Sequence, residues 1–134
     1  MGMIMSDAFS YVNALDCAAD ASWRRQTLIL NNLANEDTPG YKRKDIEFAS
    51  VLKKELLGTH ERTLDRAVNK LDDDGNHVDG FEYTDYETFS YRLDRNNVDP
   101  DTENVELASE TLRYQAYTTS ISNEFERFSM VCSK

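Results

Sequence analysis

The carboxylates between Asp72 and Asp79 form the densest group of side chains able to do chemistry, and the chemistry they suggest is calcium binding. The spacing does not support it. An EF-hand loop starts on an acidic ligand and carries its obligatory glycine at the sixth position. Counting back from Gly75 puts Lys70 at the start, and from Gly80 it puts Gly75 there. Asp72-Asp73-Asp74-Gly75-Asn76 reads instead as a hydrated surface turn. His60, His77, Cys17 and Cys132 are too few and too scattered for a zinc site. The histidines read as surface residues and the cysteines as small hydrophobes. The glycines are dispersed, so no phosphate-cradling loop exists. Ser, His and Asp occur without a nucleophile-elbow context, and no pocket is evident to shift a carboxylate toward acid-base work. The expectation is a protein without catalysis, metal or cofactor.

The composition narrows the classes further. The chain has 134 residues, enough for one domain at most, and a net charge of −10. Phosphates would be repelled, which argues against nucleic acid and anionic membrane as partners. Only 40% of residues are apolar and 30% are charged, so the core must be modest. The longest aliphatic run is Leu28-Ile29-Leu30, so direct membrane insertion is not expected. The first residues lack the basic segment and long apolar block of a cleaved secretory signal.

The elements that would position any functional residue are mainly helical. A first helix is expected from Ser6, a good N-cap, to Asn35, about 45 Å long. Phe9, Val12, Leu15, Ala19, Trp23, Leu30 and Leu33 fall on one face at three- and four-residue steps. Ala14, Ala18 and Ala21 lie opposite and are small enough to let another helix approach closely. The helix stops at Asp37-Thr38-Pro39-Gly40, where Pro39 sets φ and Gly40 accepts positive φ, as in a type II turn. A second helix is expected from Asp45, its cap, to Leu57, with Gly58 as the stop.

Residues 58–97 hold ten acidic and five basic residues and lose the periodicity. Phe81, Tyr83, Tyr86, Phe89 and Tyr91 crowd together, and the alternation of Phe89, Tyr91 and Leu93 with polar residues predicts a short hairpin over 80–93. The chain thus divides into 1–57, an acidic middle 58–97, and 98–134, acting as one structural unit. The last helix is capped by Asp99, with Pro100 in its first turn, and runs about 50 Å to Cys132. Leu107, Thr111, Tyr114, Thr118, Ile121, Phe125, Phe128 and Cys132 form a heptad seam. Val105, Ala108, Leu112, Ala116 and Thr119 form a second seam about 140° away. Glu106, Glu110, Arg113, Glu124 and Arg127 occupy the remaining side. The terminal helices are expected to pair as an antiparallel coiled-coil-like hairpin. In that pairing Cys132 faces the region near Ser6, about 15 Å from Cys17 and beyond disulfide reach. One partner helix covers one seam. Two readings stay open for the other: an assembly surface, or a face covered by the 45–57 helix inside one bundle.

Asn32-Leu33-Ala34-Asn35-Glu36-Asp37-Thr38-Pro39-Gly40-Tyr41-Lys42, continued by Asp45, Ile46 and Phe48, resembles the N-terminal signature of bacterial flagellar rod and hook proteins. Tyr91-Arg92-Leu93-Asp94-Arg95-Asn96-Asn97-Val98-Asp99, then Glu103 and Leu112-Arg113-Tyr114-Gln115-Ala116, resembles the B-type proximal rod subunit of that family. The resemblance spans nearly the whole chain. It implies a structural subunit whose terminal helices polymerise into a hollow drive shaft passing torque outward from the inner-membrane ring. It further implies export through the flagellar type III apparatus and a place in the basal body, in the periplasm. The implied partners are copies of itself, other rod subunits, the rod-to-ring adaptor and the inner-membrane ring. The turn motif Asn32, Asn35, Asp37, Thr38, Pro39, Gly40 and Tyr41 and the assembly residues Phe9, Val12, Leu30, Leu33, Leu107, Leu112, Tyr114, Ala116, Ile121, Phe125 and Phe128 are the sites this reading selects. One departure stands out: Arg95 occupies a place where the family has glycine, and positive φ there would strain it. A reading from another class is a soluble cytoplasmic helical adaptor or chaperone using the same seams.

Overall fold

The computed structural model describes residues 2–73, 78–86 and 93–133, with side chains assigned from residue 9 onward except at 73. Its elements are α1 (Gly2–Ala34), β1 (Lys44–Glu47), α2 (Ala49–Gly58), α3 (Leu64–Asp73), β2 (Phe81–Thr84) and α4 (Pro100–Cys132). The acidic turn at 74–76, His77, Phe89 and Tyr91 lie outside the described residues.

The chain is mainly helical, and the two long terminal helices pair antiparallel as the periodicity predicts. The Phe9 and Phe128 rings stack at 5.2 Å near one end. At the middle Ser22 Oγ donates to the Glu110 carbonyl at 3.3 Å. At the other end Asn32 Nδ2 donates to Glu103 Oε2 at 3.0 Å. α1 starts at Gly2, ahead of the expected Ser6 cap. α4 starts as expected: the Asp99 carboxylate accepts from Asp101 N–H and from the Thr102 hydroxyl at 2.7 Å. That hydroxyl, together with the first-turn N–H groups, holds the Asp99 carboxyl below its ordinary pKa.

The seams themselves differ from the expectation. α1 buries only part of its predicted apolar face: Val12 and Ala19 are buried and Leu15 and Leu33 half-buried, but Trp23 is 59% and Leu30 53% exposed. It packs through Ala18, Ser22, Arg25, Ile29 and Asn32, which follow alternating steps of four and three. Small residues bring the backbones close, and the polar members find partners across the contact. On α4 the column Leu107, Tyr114, Ile121 and Phe128 faces inward as expected. Beside it Glu103, Glu110, Tyr117 and Glu124 form a second column, buried or half-buried; of the expected companions, Thr111 and Thr118 are half-buried at the edge while Phe125 and Cys132 are exposed. Glu110, expected on the remaining side of the helix, is buried, and so is Glu103 in its first turn.

The second α4 seam is bare. Val105 is 70% and Leu112 67% exposed, and Ala108, Ala116 and Thr119 are exposed beside them. α2 packs on α3 instead of covering it.

Local expectations are corrected at several points. Asp45 does not cap a helix; it sits in β1, and α2 begins at Ala49 with no side-chain cap at Phe48. Two arginines recruit the Asp45 carboxylate and outweigh local capping. Gly58 is the last residue of α2, and the left-handed residue just past its end is His60, at φ 56°. The middle segment contains a full helix, α3, whose Ala67, Val68 and Leu71 are buried against α1. Of the expected 80–93 hairpin only the first arm lies within the described residues: β2 joins β1 antiparallel, Lys44 opposite Thr84 through Glu47 opposite Phe81. Gly80 lets the Ile46 side chain close over the sheet, since a Cβ there would lie 2.9 Å from Ile46 Cδ1. Cys17 is half-buried, and burial pushes its thiol pKa up. Cys132 is exposed, and the two form no disulfide.

Candidate functional site

The two sequence motifs meet in space at the end of the helix pair. Asn32 is fully buried at the last turn of α1. Its amide donates to the Lys44 carbonyl at 2.8 Å and to Glu103 Oε2, and accepts from Lys44 N–H at 3.0 Å and from the Tyr41 hydroxyl at 3.3 Å. Two donors and two lone pairs are therefore all used, and the outer edge of β1 is closed by a side chain rather than by a strand. Burial, with Glu103 nearby, raises the pKa of the Tyr41 phenol.

Asn96 performs the reciprocal task. Its amide nitrogen gathers the carbonyls of Asn35, Glu36 and Thr38, each at 2.9 Å, and its oxygen accepts from Val98 N–H at 2.7 Å. These carbonyls lie just past the end of α1, where the helical ladder no longer supplies their partners; those of Asn35 and Thr38 also accept from Thr38 N–H and Tyr41 N–H. Asn97 Oδ1 accepts from Arg43 N–H at 2.7 Å, and its amide nitrogen donates to the Asp85 carbonyl at 3.1 Å. Gly40 N–H donates to the Asp94 carbonyl at 2.8 Å, and Lys42 Nζ donates to the Arg95 carbonyl at 3.0 Å. Within the turn, Tyr41 N–H donates to the Thr38 carbonyl across Pro39 and Gly40, and Gly40 has φ 72°, as the type II expectation requires. Asn35 is half-buried and accepts from the Thr38 hydroxyl at 3.2 Å, while Asp37, Thr38 and Pro39 are exposed.

Arg95 does adopt a left-handed backbone, at φ 61°. The bonds to Asp94 and Asn96 on either side hold it there: Asn96 N–H donates to Asp94 Oδ1 at 3.1 Å. A non-glycine residue in that region carries about 1–2 kcal/mol of strain. Arg95→Gly is expected to raise stability by up to about 1 kcal/mol, the gain being trimmed by the looser unfolded chain. Urea unfolding midpoints would show it, and a drop in stability would mean that the Arg95 side chain makes a stabilising contact.

Beside the knot lies a cluster of ion pairs. Arg25 reaches Asp45 at 2.8 and 3.1 Å, Glu106 at 3.0 Å and Glu110 at 2.8 Å. Arg43 bridges Asp45 at 3.0 Å and also pairs with Glu103. α1, β1 and α4 are thereby fixed to one another. Burial by itself would raise the Asp45 carboxyl pKa; the Arg25 guanidinium, the Ile46 N–H and Arg43 outweigh it and hold the carboxyl below its ordinary value. The guanidinium pKa values of Arg25 and Arg43 rise correspondingly. Because Asp45 titrates lower in the folded chain than in the unfolded one, its contribution is complete above the ordinary value of 3.8 and is lost as pH falls below it. The stability gap between the wild type and Asp45→Asn is expected to narrow in that acid range. A gap that stays constant down to about pH 2 would contradict the pairing.

Among the assembly residues selected from the sequence, Phe9 and Phe128 stack on each other and Val12 is buried within the chain. Leu33, Leu107, Tyr114 and Ile121 are half-buried at the helix pair, while Leu30, Leu112, Ala116 and Phe125 are exposed. Sequence reasoning missed Arg25, Arg43 and Glu103 as organisers. The available signal was a long cation set among small residues on the α1 packing side. Among the described residues no group of three or more histidine, cysteine or carboxylate side chains could hold a metal ion. No helix there is long and apolar enough to cross a membrane.

No protein-family model matches the chain. Curated relatives do. The flagellar basal body rod protein FlgB of Bacillus subtilis is 34% identical over 108 residues, covering 80% of this chain and 81% of that protein. FlgB of Salmonella typhimurium is 33% identical over 110 residues, covering 77% and 78%. FlgB of Aquifex aeolicus is 31% identical over 116 residues, covering 83% of each. Matches of this length take in most of a fold built on paired terminal helices and an interlocking double motif, and the chain belongs to the FlgB family of flagellar basal body rod proteins.

Proposed function

We propose that this chain is a structural subunit of the flagellar basal-body rod. It polymerises through its terminal helices with copies of itself and with other rod subunits into the shaft that transmits torque. The observation that carries this reading is the bare apolar strip on α4: among the described residues, Val105 and Leu112 stay 70% and 67% exposed. Exposed Trp23 and Leu30 give α1 an apolar face of its own. Polymerisation buries both, and the rigid polar knot sets the angle at which the helix pair is offered. The role is structural, not catalytic. Export through the flagellar type III apparatus, a periplasmic position, and contact with the rod-to-ring adaptor and inner-membrane ring complete the reading. Fractionation tests it. The chain is expected in purified basal bodies; recovery only from soluble lysate, bound to client helices, would favour an adaptor or chaperone and overturn the rod assignment.

A further inference from the structure

We infer that residues 45–48 are a two-state element: strand while Arg25 and Arg43 hold Asp45, and the first turn of a longer α2 once they release it. The local sequence suits the helix. Aspartate is among the best N-caps, Glu47 would stand in the first turn where the helix dipole favours an acid, and Phe48 leads into Leu52 and Leu56 at four-residue steps. The structure holds Asp45 in β1 instead, and α2 shows the consequence. It begins at Ala49 with no side-chain cap, although the Phe48 backbone already lies in the right-handed helical region, at φ −104° and ψ −45°. The residue three positions before Phe48 that can cap the helix points into the ion-pair cluster, 2.8 Å from Arg25 and 3.0 Å from Arg43.

What keeps β1 extended comes from distant parts of the chain. Asn32 holds the Lys44 backbone, the arginines hold Asp45, and β2 supplies the ladder. Together with Ile46, which is buried, these weight the native balance toward the strand. The arginines do not need Asp45 in order to stay paired: Arg25 keeps Glu106 and Glu110, and Arg43 keeps Glu103. α2 buries none of its residues fully, so little fixes its place. Turning residues 46–48 from strand to helix reduces their rise from about 3.3 to about 1.5 Å each, which draws α2 about 5 Å toward the end of α1. The cluster that joins α1 to α4 thereby also sets where α2 stands. This coupling belongs to the folded chain itself and does not depend on what the chain assembles with.

Two substitutions at one position separate the roles of the Asp45 side chain. Asn caps a helix as well as Asp but brings no charge to the arginines, whereas Ala does neither. Backbone NMR of the full chain reads the outcome. In Asp45→Asn the Cα shifts of Ile46 and Glu47 are expected to cross from the strand side of their random-coil values to the helical side. The Ala49 amide should gain protection from exchange, since its helical acceptor is the carbonyl of residue 45. In Asp45→Ala the strand shifts should weaken without becoming helical. Arg25→Lys, which gives up the bidentate hold on Asp45 but leaves a cation among the carboxylates, should move the same shifts in the helical direction by a smaller amount. Strand or random-coil shifts in both Asp45→Asn and Arg25→Lys overturn the inference. An equal move to helix in Asp45→Asn and Asp45→Ala overturns it as well, because no cap would then be at work.

Discussion

Replacing Arg25 with methionine is expected to destabilise the folded chain by about 3–5 kcal/mol, the cost of stripping two buried carboxylates of their closest cation and leaving Asp45 to Arg43 and Glu110 to the more distant Arg113. The guanidinium makes contacts to three acids on two different elements, Asp45, Glu106 and Glu110. Asp45 and Glu110 have side chains only 7% and 5% exposed, so water cannot take over the lost bonds. Methionine keeps an unbranched stem that packs as the arginine methylenes do, so the loss reads mainly the missing charge and its hydrogen bonds. Against a total stability of about 5–15 kcal/mol for a domain, this is enough to unfold much of the population. Arg25→Lys should rescue only part of it, because one ammonium cannot satisfy Asp45 in a bidentate fashion while also reaching α4. Adding Glu110→Gln to Arg25→Met should restore part of the loss, and the cycle isolates that pair. A loss below about 1 kcal/mol would place the cluster with ordinary surface ion pairs.

The cluster also explains what the sequence concealed. The pairing of the terminal helices was legible because the α4 column Leu107, Tyr114, Ile121 and Phe128 repeats every heptad. Its companion column was not, because Glu103 and Glu110 are buried acids, and a pattern of apolar residues cannot see a charge that is buried only because Arg25 and Arg43 approach from elsewhere. The same blindness hid part of the α1 contact: Ala18, Ser22, Arg25, Ile29 and Asn32 keep heptad spacing, yet most are small or polar. The large residues Trp23 and Leu30 drew the eye to the face the chain leaves open.

The turn residues were read more accurately. Local backbone chemistry governs Pro39 and Gly40, and a positive φ at Gly40 follows from the turn type alone. What the turn binds was not legible, since Asn96 reaches it across about sixty residues of sequence. α3 was within reach: Leu64, Ala67, Val68 and Leu71 have helical spacing, masked by the acidic composition around them. The Asp45 strand was not, because only β2 and two arginines make it one.

Leu112→Asp is expected to abolish assembly while leaving the folded monomer intact. Leu112 is two-thirds exposed, so in the isolated chain the substitution touches little and should shift stability by no more than about 0.5 kcal/mol. In the proposed assembly a neighbour covers the same position, and a carboxylate buried there without a partner carries a penalty of several kcal/mol. A penalty of about 3–4 kcal/mol already weakens one contact by about a hundredfold to a thousandfold. Because every subunit repeats the contact, the weakening compounds along the array. The variant should therefore be exported, show unchanged helical circular dichroism and unfolding midpoint, be missing from basal bodies, and leave cells non-motile. Ala116→Asp, on the same strip, should behave alike, whereas Thr111→Asp, which faces the edge of the intrachain helix pair, should lower monomer stability as well. Incorporation of Leu112→Asp into rods with normal motility would show that the strip faces solvent in the assembled shaft.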